Sequence, residues 1–258
     1  IHNKLELQVR EATLRSALDA SLSAKEIAYR LALPAGTVLS LVGFAAIANS
    51  NGTVPLITHL GNELSQYLAV FRPDAAITTT SRTVYLLLPG GESESVMRLI
   101  NGALSAIQLA FKDQIRAAIS HSSTQPADLP SMRREVDDIL RVTTVNPDFP
   151  SVAKLADVHA RVLLDHVADE LIREPMLKHP GIQAMLAYDL ENKTNYADSV
   201  VAWLDAVGDI ALAAGSLFIH ANTLRYRLRR VKDLFNITLD NPDDRLAVWM
   251  QLRLVLPS

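Results

Sequence analysis

Apolar residues recur at helical spacing between Lys4 and Leu33, and neither Gly nor Pro intervenes before Pro34, so a helix is predicted over residues 4–33. Residues 38–48 are almost wholly apolar and run into Asn49-Ser50-Asn51-Gly52, the pattern of a buried strand and its turn. Pro55 to Phe71 reads as helix. Ala75–Thr80 and Thr83–Leu88 read as two short strands hinged at Ser81-Arg82, and Pro89-Gly90-Gly91 stops the second. Glu92 to Phe111 reads as helix, with Glu92 and Glu94 in the first turn where the dipole favours carboxylates. Ile115–Ile119 reads as strand. Residues 36–120 therefore spell strand, helix, strand, strand, helix, strand, the ferredoxin-like order of an antiparallel sheet with helices on one face.

The pattern changes after Gln125-Pro126. A helix is predicted over 128–142, with Pro130 tolerated in its first turn, then a break at Asn146–Pro150 and a last short strand at 152–156. From Asp157 the periodicity is helical throughout: 157–173, 181–192, 196–206, 209–215, 221–235 and 242–256, punctuated by Pro175, Pro180, Asn195, Gly208, His220 and Pro242. The expected organisation is an N-terminal helix over 1–35, an α+β domain over 36–156, bridging helices over 157–195 and an all-α domain over 196–258.

The chain has 258 residues, 49% hydrophobic and 21% charged, which excludes a disordered protein. It contains no cysteine, which removes disulfides, thiolate catalysis and iron–sulfur chemistry. The longest apolar stretch, Leu39–Ala48, is shorter than the roughly 20 residues of a membrane span. The N-terminus lacks the features of a signal peptide, so the expected location is the cytoplasm. It opens at Ile1 without an initiator methionine, which reads as a fragment or processed piece of a longer protein.

Net charge is −3, but its distribution matters more than its value. Residues 209–258 hold seven basic and five acidic side chains, leaving 18 basic and 23 acidic on residues 1–208. Between His220 and Lys232 stand Arg225, Arg227, Arg229, Arg230 and Lys232, with no acid among them. A basic stripe on an acidic protein is the distribution expected when one face meets phosphate. Gly208 to Val231 spells a short helix with small residues, a tight turn and a second helix, with Ala214 at the close approach and Leu217, Ile219, Leu224 and Leu228 as shared core. At about 100° per residue, Leu224, Leu228, Val231 and Phe235 form one stripe. Asn222, Arg225, Tyr226 and Arg229 lie opposite, with Thr223 and Arg230 at the edge. Arg forks onto guanine and Asn onto adenine, so these six are the expected DNA-contacting residues. Arg227 lies nearer the core stripe and suits an ion pair as well as DNA.

The run His220-Ala221-Asn222-Thr223-Leu224-Arg225-Tyr226-Arg227-Leu228-Arg229-Arg230 resembles the C-terminal DNA-binding domain of the PucR/CdaR-type bacterial transcriptional regulators, and the unit is similar to a Fis-type helix-turn-helix. The likeness continues through Leu239–Ala247 and upstream through Leu186–Asp189 and Val201–Asp205, roughly residues 180–258. Phe218 departs from the general pattern, which often places Gly near that turn. The resemblance implies a degenerate GGDEF-like N-terminal domain, control of a catabolic or biosynthetic operon (polyketide synthase or purine catabolism are such targets), double-stranded DNA as partner and no cofactor. Two copies are expected, because one short helix reads few base pairs. The N-terminal domain would serve dimerisation or the sensing of a small-molecule effector.

Several local patterns point elsewhere and are weaker. Gly90-Gly91-Glu92 mimics part of a GGDEF signature but follows strand 83–88, whereas an active cyclase carries its signature in the preceding hairpin. The matching positions, Thr80–Val84, hold neither glycines nor acids, and strand 38–48 has no Asp for magnesium. Ala24–Val38 imitates a helix-turn-helix, yet 37–48 has no basic residue. His159 and His166 stand among Asp165, Asp169 and Glu170 without a second cluster at metal spacing, so no metal site is expected. Ser216 reads as a turn residue, and no nucleotide-loop or hydrolase motif occurs. The rivals to a regulator are a nucleotide-handling enzyme and a protein-interaction module.

Overall fold

The computed structural model describes residues 2–47, 53–91, 93–111, 115–146 and 148–256. The elements are α1 (His2–Leu18), α2 (Ala24–Arg30), β1 (Leu39–Ala46), α3 (Thr53–Phe71), β2 (Ala76–Thr79), β3 (Thr83–Pro89), α4 (Ser93–Phe111), β4 (Ile115–Ser123) and α5 (Leu129–Thr143). After these come β5 (Val152–Lys154), α6 (Leu155–Arg173), α7 (Pro180–Asn192), α8 (Tyr196–Asp205), α9 (Ile210–Ser216), α10 (Ala221–Phe235) and α11 (Pro242–Val255). The chain forms two compact units, Ile1–Val162 and Leu163–Ser258, and the division falls inside α6. The turn expected at Asn49–Gly52, and Glu92, lie outside the described residues.

The helix predicted across 4–33 is two helices. Ala20 ends the first turn region in the left-handed conformation at φ +55°. Ser23 then starts α2 with a capping box: its hydroxyl accepts from the Glu26 amide, and the Glu26 carboxylate accepts from the Ser23 amide at 3.0 Å. The Ser23 hydroxyl also donates to the Glu26 carboxylate at 2.7 Å, and this bond first, the Ser23 amide second, lowers the Glu26 carboxyl below its ordinary value. The break lets Leu14 and Leu18 of α1 and Ile27 of α2 enter the same core.

The sheet order is β2-β3-β1-β4-β5. β1 runs antiparallel to β3 and β4, the ferredoxin-like arrangement, while β5 adds a parallel edge strand beside β4. Side chains of β1 alternate between two cores. Val42, Phe44 and Ala46 face α3 and α4; Leu39, Leu41 and Ala45 face α1, α2 and α5. Helices thus cover both faces, not one, which explains why β1 reads as a continuous apolar run and not as an alternation. α5 lies so close to β1 that a Cβ on Gly43 would stand 2.3 Å from Val136 Cγ1 and 3.0 Å from Leu140 Cδ1.

The second unit is helical. Its main core joins Ile182 and Met185 of α7, Tyr196 and Val200 of α8, Val231 and Phe235 of α10, and Val248 and Leu252 of α11. Tyr188, Tyr196 and Phe235 meet ring to ring with centroids 5.5–6.0 Å apart. Gly181 of α7 abuts the end of α10, where a Cβ would sit 2.1 Å from the Phe235 carbonyl oxygen. Asn195, at the N-cap of α8, makes no side-chain cap. Asp189 of α7 does that work: its carboxylate accepts from the amides of Tyr196 at 2.9 Å and Ala197 at 2.8 Å and from the Thr194 hydroxyl at 2.5 Å. Asp205 of α8 accepts from Trp249 Nε1 at 2.8 Å and Arg253 Nη2 at 3.0 Å, which ties α11 in place.

Two substitutions test this packing. Gly43→Ala is expected to cost about 1–3 kcal/mol of stability, because the added methyl displaces the buried side chains of Val136 and Leu140; urea unfolding of the full chain reads it. Asp189→Ala removes three bonds to a charged acceptor and is expected to cost about 2 kcal/mol. A midpoint unchanged in urea for the second variant would show that α8 starts without that cap.

Candidate nucleic-acid interface

The site is built by three consecutive helices. Asp209 caps α9, its Oδ1 accepting from the amides of Ala211 and Leu212 at 2.8 and 3.0 Å. Ala213 and Ala214 of α9 are buried against Leu224 of α10, with Trp203, Leu217, Ile219 and Leu228 packed around them. This is the expected shared core, widened by Trp203, whose Nε1 donates to the Gly208 carbonyl at 2.9 Å.

The turn between α9 and α10 closes by amide bonds from Phe218 to the Gly215 carbonyl and from Ile219 to the Ala214 carbonyl. Phe218 occupies the left-handed position, φ +55°, where such turns usually place Gly. The turn keeps the ordinary geometry in spite of the bulky residue, and the ring is 96% exposed. Ser216 is the last residue of α9, not part of the turn after it, and its hydroxyl donates back to the Ala213 carbonyl of the same helix at 2.9 Å. His220 caps α10: its Nδ1 accepts from the Asn222 amide at 3.2 Å, which requires that nitrogen to carry no proton. The Asn222 amide is therefore already engaged, and is not a free donor for a phosphate at this helix end.

Leu224, Val231 and Phe235 are buried and Leu228 is half-buried, so the apolar stripe fixes the rotation of α10 about its axis. Asn222, Thr223, Arg225, Tyr226 and Arg229 are exposed. Arg225 Nη1 donates to Asn222 Oδ1 at 3.0 Å, linking the two side chains across one turn. Arg230 is half-buried, and its shielded Nε has no hydrogen-bond partner among the described residues. Arg227 turns inward and donates to Ser199 Oγ at 3.2 Å, so its partner is a hydroxyl on α8 and not an acid.

Two features beyond the basic run restrict the cationic face. Lys232 is held by Asp240 at 2.7 Å. That hydrogen bond raises the ammonium's pKa and lowers the carboxyl's. Asp233 is exposed and, at 100° per residue, lies in line with Asn222, Tyr226 and Arg229. Among the described residues the unpaired positive charge on α10 is thus confined to its first three turns. Counting charges only as far as Lys232 misses this, although Asp233 is the next residue. The Lys232–Asp240 pair depends on the path of the chain after α10, which local periodicity does not encode.

α11 begins as the resemblance implies. Asn241 Oδ1 accepts from the Asp244 amide at 2.8 Å, with Pro242 in the first turn. Among the described residues no three His, Asp or Glu side chains converge on a metal position, and no helix is long and apolar enough to cross a membrane.

Comparison with known proteins agrees with this geometry. Residues 196–254 match the family model of the PucR C-terminal helix-turn-helix domain. Over 67 residues the chain is 28% identical to the DNA-binding transcriptional activator AdeR of Bacillus subtilis (strain 168), which is 26% of this chain and 16% of that protein. Over 65 residues it is 35% identical to the carbohydrate diacid regulator of Escherichia coli (strain K12), 25% of this chain and 17% of that one. The match therefore spans about one sixth of the length of either relative. The crystal structure of a regulator of polyketide synthase expression from Bifidobacterium adolescentis aligns over 95% of this chain and 91% of its own, with a TM-score of 0.39 and 17% identity. The turn, the shared core and the outward arginines all lie within residues 196–254, the segment that is similar to the PucR C-terminal helix-turn-helix domain.

Proposed function

We propose that the protein is a DNA-binding transcriptional regulator of a catabolic or biosynthetic operon, acting in the cytoplasm as a pair of copies. The observation that carries this reading is the outward face of α10, where Arg225 and Arg229 have no ion-pair partner among the described residues while the opposite side is sealed in the core. A helix with that division can enter a major groove without breaking any contact of the folded unit. Asn222, Arg225, Tyr226 and Arg229 would meet base edges or the phosphates beside them, and Thr223 and Arg230 mainly phosphates. The Arg225–Asn222 bond links two base-reading groups before DNA arrives, which lowers the ordering cost of recognition. Asp233 repels the backbone at the far end of the helix and so favours an approach by its N-terminal half. Two such helices on one duplex would read half-sites about 34 Å apart.

The sheet unit is read as non-catalytic, serving dimerisation or effector sensing. In β1 there is no carboxylate, and the β2–β3 hairpin turns on Thr80-Ser81-Arg82, so the acids that two-metal chemistry on a triphosphate demands are not where the fold would present them. Gly90 and Gly91 fall at the far end of β3 from that hairpin.

Selection of bound sequences from genomic DNA by the purified protein gives the operator. On it, Arg225→Ala is expected to cost about 1–3 kcal/mol and to relax preference at one position. Arg230→Ala should weaken every sequence alike and flatten the dependence of affinity on salt by about one unit. Identical affinity and salt slope in both variants would overturn the groove assignment.

A further inference from the structure

Arg225, Arg229 and Lys232 stand at i, i+4 and i+7 on α10 and so share one edge of the helix. The first two have no ion-pair partner among the described residues, whereas the third is paired with Asp240 at 2.7 Å. Asp240 belongs to the link between α10 and α11, not to the helix that carries the cations. Arg229, Lys232, Asp240 and Arg245 line one cleft of about 440 Å³ together with Trp203 and Leu228. Two further acids stand near it in sequence: Asp233, exposed on the line of Tyr226 and Arg229, and Asp243, exposed in the first turn of α11. The C-terminal end of α10 is therefore balanced in charge and not basic, unlike its N-terminal half.

The chain builds this contact. Asn236 ends α10 in the left-handed conformation, φ +53°, with its amide donating to the Lys232 carbonyl at 3.1 Å. Ile237 is buried in the core of the helical unit. At the other end of the link Asn241 caps α11, and Thr238 donates its hydroxyl to Asp244 Oδ2 at 3.0 Å. The link is thus pinned at both ends, and its path carries Asp240 to Lys232. The pair itself stays in water, its side chains 55% and 78% exposed. Such a pair contributes little to stability, so the fold has no need of it. It is also open to exchange: another anion can take the ammonium without disturbing the core.

We propose that Asp240 is an internal competitor of the DNA backbone: its carboxylate engages the Lys232 ammonium that a phosphate would otherwise take, and so restrains the affinity of α10 for duplex of any sequence. The inference rests on the regulator reading, because the competition has a meaning only where DNA is the ligand. Carboxylate and phosphodiester are both anionic acceptors, and a lysine ammonium pairs with either as a point charge. When the helix meets DNA, Lys232 either keeps Asp240 and makes no phosphate contact, or exchanges one anion for the other at little gain. Phosphate contacts supply affinity without sequence information. Withholding one of them leaves more of the total to the N-terminal half of α10, where Asn222, Arg225, Tyr226 and Arg229 face outward. An acid outside the helix thereby sets how much of the cationic edge DNA can use.

The test is fluorescence anisotropy of the full chain with a labelled mixed-sequence duplex of about 30 base pairs, long enough for two half-sites one helical turn apart. Affinity is followed over roughly 50–200 mM chloride. Asp240→Asn removes the charge and keeps the shape; it is expected to bind about three- to tenfold tighter and to steepen the dependence of log affinity on log salt by about one unit. Lys232→Gln alone, which leaves the link untouched, should change affinity by less than about twofold, because an exposed pair gives up little when broken. The same change made in the Asp240→Asn chain should remove most of the gain, and that non-additivity separates a released lysine from the mere loss of a negative charge. Asp243→Asn, which removes a neighbouring exposed acid, should leave the salt dependence as it is. Circular dichroism melts check that each variant keeps the helical unit. The proposal is overturned if Asp240→Asn binds no tighter or with an unchanged salt dependence, or if Lys232→Gln weakens the natural chain as much as the Asp240→Asn chain. Binding by the natural chain that Asp240→Asn leaves unaltered sinks this inference alone. Absence of binding by both at the lowest salt sinks the regulator reading and this inference with it.

Discussion

The rotation of one helix about its own axis governs the helical unit. Leu224, Val231 and Phe235 are removed from water on three different neighbours: α9, α8 and the ring cluster of Tyr188 and Tyr196. Burying each such side chain stabilises the fold by about 1.5–3 kcal/mol, so a turn of the helix by even one position would forfeit more than exposed ion pairs could return. With the apolar stripe fixed, the arginines have no choice of direction. What the helix presents outward is thus a by-product of what it hides, and the cationic face needs no dedicated support.

The sheet unit solves a different problem. Both faces of β1 are covered, so every one of its side chains must be accommodated by a helix, and Gly43 is where α5 comes nearest. The same economy of side-chain size that lets α5 approach at Gly43 leaves space two residues further on, at Ala45. Tight packing at Gly43 and the cavity lined by Ala45, Tyr85 and Asp137 are in this way neighbouring results of one strand's composition.

Most elements were legible because their periodicity is strong. The strand–helix order of the sheet unit follows from apolar spacing and from Pro and Gly, and the start of α10 from the apolar stripe and the break at His220. The break after α1 was hidden because 19–23 contain neither Gly nor Pro, although Ser23 and Glu26 spell a capping box three residues apart. The cover on the second face of the sheet was illegible for a deeper reason: α1, α2 and α5 are distant in sequence, and periodicity says which face of a helix is apolar but not what it meets. Within the binding region, the outward residues could be projected from helical geometry. The tethering of Lys232 by Asp240, the turning of Arg227 to Ser199, and the capping of α8 by Asp189 depend on how separate segments come together.

Among the described residues, all six non-glycine residues with left-handed backbone, Ala20, Ala32, Lys193, Val207, Phe218 and Asn236, stand one or two positions after the last residue of a helix. Outside glycine and asparagine that conformation costs about 1–2 kcal/mol, and Val207 and Phe218 flank the seven-residue α9 on either side. The corner is therefore imposed by its surroundings and not chosen by its own residues. A peptide cut from residues 209–235 would have no reason to bend at Phe218. The helical unit is accordingly expected to melt in a single all-or-none step, because the angle between α9 and α10 exists only while α7, α8 and α11 enforce it.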